Sequence, residues 1–127
     1  MKIGNLTFDA LDPDRLATFW AAALNLEKAV YPDDMRAELL EAGSTQEQLE
    51  DRALVEDPAG QSPRMFFQRV PEPKAAKNRI HIDVLAAPGR RAERNEVDAE
   101  MQRLRGLGAT LTSTHDAMWG PCRSTTT

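Results

Sequence analysis

Six side chains stand where strand alternation turns them away from a helix-covered face: Asn5 and Thr7, Phe66 and Gln68, His81 and Asp83. The members of each pair are two residues apart, so they share one face of their strand. If the three strands curve into one sheet, amides, a hydroxyl, an imidazole and a carboxylate gather beside an aromatic wall. A few placed polar groups in an apolar lining are what a small-molecule site requires. The same residues equally suit the solvated face of an ordinary antiparallel sheet. Other chemistry is less well supplied. Ser113, His115 and Asp116 have the residue types of a hydrolytic triad, but adjacency in sequence does not build its geometry. Cys122 is a lone tail thiol with no fixed cation near it in sequence. Lys74, Lys77 and Arg79 can draw in an anion, though a solvated charge cluster accounts for them as well. A phosphate-cradling glycine loop is absent, which disfavours nucleotide cofactors.

The elements that must hold these residues follow from periodicity. Residues 2–10 alternate, with Leu6 and Phe8 on one side and Asn5, Thr7 and Asp9 on the other. Asp12-Pro13-Asp14 opens a helix: Asp12 caps, Pro13 needs no N–H there, and Asp14 suits the dipole. Leu16, Phe19, Trp20, Ala23 and Leu24 then form one apolar stripe, which predicts that Phe19 and Trp20 are buried against a sheet. A short strand is expected over 26–31, an acidic helix over 33–42 closed by Gly43, and a polar connection over 44–51. Strands over 52–56 and 64–70 flank Asp57-Pro58-Ala59-Gly60, a turn sequence. Another strand is expected over 78–85, with Ile80, Ile82 and Val84 on one face. A second helix over about 90–105 ends at Gly106 and Gly108, before strand-like residues 109–112. Asn5 lies seven residues before Asp12 and His81 seven before Pro88, so the strand–helix plan is used twice. The fold class is therefore α+β, not a doubly wound sheet.

Size and charge set the outer limits. The chain has 127 residues, 41% hydrophobic and 28% charged, which fits a single globular domain. Sixteen basic against twenty acidic residues give −4, the wrong sign for a nucleic-acid partner. One cysteine excludes an internal disulfide and a Cys-rich zinc site. No apolar run reaches the ~18 residues of a membrane span, and no signal-like apolar region opens the chain. A cytoplasmic protein without a membrane partner is expected.

Several of these segments, taken together, resemble a known family. Asn5-x-Thr7 before a helix opening at Asp12-Pro13 and carrying Phe19-Trp20 is similar to the first module of the vicinal oxygen chelate (VOC) superfamily. Asp57-Pro58-Ala59-Gly60 resembles its glyoxalase-like branch. So do Arg64-Met65-Phe66-Phe67-Gln68-Arg69-Val70-Pro71-Glu72-Pro73-Lys74 and Lys77-Asn78-Arg79-Ile80-His81-Ile82-Asp83. Leu104-Arg105-Gly106-Leu107-Gly108-Ala109-Thr110 resembles the end of that branch's second helix. The likeness covers about residues 1–112.

The resemblance implies paired βαβββ modules of the glyoxalase/bleomycin-resistance/dihydroxybiphenyl-dioxygenase type. Module one would span about 1–75, module two would begin near 78, and an atypical tail would occupy 113–127. That tail shows no alternation long enough for a good strand, so module two is expected to be truncated, or the end frameshifted or vector-derived. A sheet left short of strands needs covering, so a homodimer is expected. The resemblance also implies a divalent metal (Zn, Ni, Mn or Fe) held by Asn5, Gln68 and His81. Asn5 replaces the superfamily's usual histidine, Gln68 a carboxylate, and the fourth ligand has no counterpart. Thr7, Phe66 and Asp83 would bind the small-molecule ligand, with Asp83 the catalytic proton-transfer group. Two functions follow from the likeness: a metal-assisted lyase or isomerase, and a metal-free protein that binds or sequesters an antibiotic-like ligand.

Overall fold

The computed structural model describes the backbone of residues 1–117 and 120–126, and side chains through Thr114. The readings of His115, Asp116 and Cys122 as reactive side chains lie outside the described residues. The chain forms two compact units, Met1–Lys74 and Ala75–Thr127.

The first unit runs β1 (Asn5–Ala10), α1 (Pro13–Leu24), β2 (Glu27–Ala29), α2 (Asp33–Glu41), α3 (Gln46–Glu50), β3 (Arg52–Glu56) and β4 (Arg64–Arg69). Its four strands lie in the order β1-β4-β3-β2. β1 and β4 are parallel, and the other neighbours are antiparallel. This is one complete βαβββ module.

Local chemistry explains where α1 begins and ends. The Asp12 carboxylate accepts the Arg15 backbone N–H at 3.0 Å, and Pro13 takes the first helical position. Asn25 then adopts the left-handed conformation, φ 55°, and stops the helix. Between these limits Ala17 and Ala21 pack on Ala53, Val55, Met65 and Phe67 of the sheet. Alanines on both sides let helix and sheet approach closely, and Phe8 stacks on Phe67 with centroids 5.3 Å apart. Phe19 is buried as expected. Trp20 is only half-buried, packed on the margin of this cluster with its ring edge-on to Phe19. Lys28, whose ladder partner is Val55, reaches over the same face to Asp14 and Thr18 of α1.

The β3–β4 connection is held from within. The Asp57 carboxylate accepts backbone N–H groups of Ala59, Gln61 and Ser62 at 2.9, 3.0 and 2.9 Å. These bonds, that from Ala59 foremost, hold its carboxyl below the ordinary range. Gly60 sits at φ 66° in that turn, a conformation that costs glycine nothing.

One expectation for the connections of the first unit needs amending. Residues 44–51 are not merely a connection, because they contain α3. Its Thr45 side chain accepts the Gln48 N–H while the Gln48 carbonyl accepts the Thr45 N–H, a capping box.

The second unit contains α4 (Arg94–Gly106), β5 (Thr110–Ala117) and β6 (Gly120–Thr126). The helix starts later than predicted because Glu93 caps it: Glu96 accepts the Glu93 N–H at 2.8 Å and a two-pronged bond from Arg90. Glu96 is thereby held down at about 2, chiefly by the Arg90 side chain and then by the Glu93 N–H. The strand expected over 78–85 is not formed. Alternation supplies a strand's side-chain pattern, but a ladder also needs a partner, and Ile80, Ile82, Val84 and Leu85 stay exposed. The tail expectation is corrected in the opposite sense. β5 and β6 pair antiparallel, with an irregularity between Leu111 and Ser113. Threonine suits a ladder even where no apolar alternation marks one. The outcome is an α+β fold whose second module is shorter than its first.

Candidate functional site

Strand pairing in the first unit sorts every residue to one side of its sheet. Phe8, Met65, Phe67, Ala53 and Val55 face α1, so their neighbours face the other way. The open face therefore carries Asn5, Thr7 and Asp9 from β1, Arg64, Phe66 and Gln68 from β4, and Arg52 and Leu54 from β3. Asn5, Thr7, Phe66 and Gln68 all stand on the expected side.

The register decides which of them meet. Thr7 is opposite Phe66, Asn5 is opposite Arg64, and Gln68 is flanked by Asp9 and Arg52. The Gln68 Nε2 donates to Asp9 Oδ1 at 2.7 Å. A carboxylate oxygen accepts, so the amide nitrogen must be the atom that faces it, and the Gln68 carbonyl oxygen is left free. Asn5 and Gln68 are four ladder positions apart, about 13 Å along the strands at ~3.3 Å per residue. Ligands to one ion stand about 2.0–2.6 Å from it, so this pair does not fit a shared metal. His81 and Asp83 belong to the second unit, on the exposed segment that forms no strand. Among the described residues, no three His, Cys, Asp or Glu side chains are grouped to hold an ion.

A cavity of about 440 Å³ opens at the Gln68 end of this face, with residues of α2 and α3 in its lining. Tyr31, Leu39, Ser44, Gln48 and Leu49 line one side, and Asp51, Arg52, Gln68 and Arg69 the other. Its size is within the ~300–1,000 Å³ of small-molecule pockets. Arg69 is committed: its Nε donates to Asp51 Oδ1 at 2.7 Å and its Nη1 to the Leu11 carbonyl at 2.6 Å. Asp51 is thereby paired with Arg69. Sequence reading found Gln68 but missed Tyr31, Arg52 and Asp9 as its neighbours. Asp9 was visible as a face-mate of Thr7. The closeness of Arg52 and Tyr31 depends on a ladder and a helix pair that no local pattern encodes.

The fold has recognisable relatives. A possible glyoxalase from Bacillus cereus aligns with a TM-score of 0.57 at 15% identity, over 94% of this chain and 85% of that one. TioX from Micromonospora sp. ML1 aligns at 0.47 and 18% identity, over 98% and 87% of the two chains. A V. cholerae integron cassette protein aligns at 0.45 and 10%, over 98% and 84%. A comparison with curated proteins gives no match. No helix among the described residues is long and apolar enough to cross a membrane. A family model described as Glyoxalase-like domain matches residues 5–126, from the first residue of β1 to the last of β6. With that match spanning nearly its whole length, the chain belongs to the Glyoxalase-like domain family, within the VOC superfamily.

Proposed function

We propose that this protein binds a small organic molecule on the open face of its first sheet, without a metal bridging Asn5 and Gln68. The observation that carries the reading is the ladder arrangement Thr7–Phe66 beside Asp9–Gln68–Arg52, with a cavity at its Gln68 end. Phe66 offers a half-buried aromatic surface, Thr7 a hydroxyl, and Gln68 a free carbonyl oxygen held in place by Asp9. An apolar platform with fixed polar atoms is suited to holding a ligand in one orientation. Two neutral amides separated by four ladder positions are poorly suited to polarising vicinal oxygens through one ion. The family's breadth includes both enzymes and binders, and the donor set of this chain favours the binder.

A fragment screen read by amide shifts of the full-length ¹⁵N-labelled chain tests this. Hits should move Thr7, Phe66 and Gln68 together and leave α1 unmoved. Hits confined to the α1 side, or no hits on β1 and β4, would overturn it.

A further inference from the structure

We infer that the cavity beneath α2 and α3 selects small carboxylic acids with an apolar body, and that Arg52 is the group that reads the acid. The inference deepens the small-molecule reading above and rests on it.

Several polar atoms around the cavity are already engaged. Arg69 is engaged by Asp51 and Leu11, and Arg36 lies 3.8 Å from Glu50 at the surface. Arg52 has no ion pair or side-chain hydrogen bond among the described residues, although it lines the cavity. Its five N–H groups are therefore available. Gln48 has spent its carbonyl on the Thr45 N–H, and an N–H can only donate. The amide nitrogen of Gln48 is left over, as a donor. The Tyr31 and Ser44 hydroxyls add donors that can also accept. Against these stand the Gln68 carbonyl oxygen and the Asp51 carboxylate, the latter already paired. The unspent atoms are mostly donors, and one of them carries a full positive charge.

A site with surplus donors and one unpaired guanidinium is complementary to an anion. A carboxylate matches the planar fork of arginine with two parallel bonds, which an ammonium could not give. Leu39, Leu49 and the Tyr31 ring supply apolar wall on the same cavity, so the acid should carry a compact hydrocarbon or aromatic body. Asp9 and Glu56 share the open face, but Asp9 is held by Gln68, and neither lines the cavity. Dianions gain little here, because among the described residues lining the cavity Arg52 is the one cation without an ion pair.

Benzoate and its neutral isostere benzamide separate charge from shape, and titration calorimetry on the full chain at neutral pH reads the difference. Benzoate should bind about tenfold more tightly than benzamide, the scale of one charged hydrogen-bonded contact. Arg52→Gln should reduce benzoate to the benzamide level and leave benzamide unchanged, while Arg52→Lys should retain part of the preference. Arg52 is exposed, so both variants should melt with the parent. Equal affinity for the two probes, no benzoate binding, or benzoate binding unaffected by Arg52→Gln would each overturn the inference. Neutral fragments on Thr7 and Phe66 with no acid preference would overturn it alone and leave the binding reading standing.

Discussion

Glu96 answers to three partners at once: both prongs of the Arg90 guanidinium and the Glu93 N–H. A carboxyl with an ordinary value of 4.5 and a folded value of about 2 binds its proton more readily in the unfolded chain. The stabilisation is therefore complete above about pH 4.5 and is lost as pH falls through about 2. Acid melting followed by circular dichroism should show Glu96→Gln differing from the parent near neutrality and converging with it at the acid end. Because Arg90 is exposed and Glu96 only half-buried, added salt should narrow the gap. A constant difference at every pH would mean that Glu96 acts through packing rather than charge.

At the scale of elements, neighbouring residues on one strand do opposite jobs. Phe67 is almost wholly buried under α1, while Phe66 looks the other way. Phe67→Ala should cost about 3–5 kcal/mol in urea unfolding, since a large cavity opens beside Val55 and Met65. Phe66→Ala should cost far less and should remove fragment binding on β4. Comparable losses from both would show that the two faces are not distinct. α1 was legible from sequence because its cap, its proline and its apolar stripe all agree within a dozen residues. α3 was equally local, and Thr45 with Gln48 spelled its capping box, yet the polar composition masked it. The 78–85 misreading had another cause. Ile80-His81-Ile82-Asp83-Val84 has an ideal strand pattern, and pattern says nothing about a partner. The candidate site divides the same way. Thr7, Phe66 and Gln68 were assigned to their face by period two, whereas Arg52 became their neighbour through the antiparallel register of β3 on β4.

For the whole molecule, exposed apolar side chains raise the question of assembly. Ile80, Val84 and Leu85 are all well over a third exposed, and among the described residues β5 and β6 each have an outer edge with no strand paired to it. A second copy covering them should give a light-scattering mass about twice 14.1 kDa at micromolar concentration. Replacing Val84 and Leu85 together by serine should return the mass to one chain, and a parent that is monomeric throughout that range would remove the expectation. The parallel pairing of β1 with β4 has a different consequence, in time rather than space. β2, β3 and β4 follow one another along the chain, but the bond from Gln68 to Asp9 joins residues 59 apart. Closing so long a loop consumes entropy before any contact repays it, so β1 should dock after the three-stranded meander has formed. Pulse-labelled hydrogen exchange during refolding should protect the Val55 and Phe67 amides, which pair β3 with β4, before those of Leu6 and Phe8, which pair β1 with β4. The ligand face would then be the last part of the first unit to exist, and any molecule bound across β1 and β4 would act as a latch on the slowest step of folding.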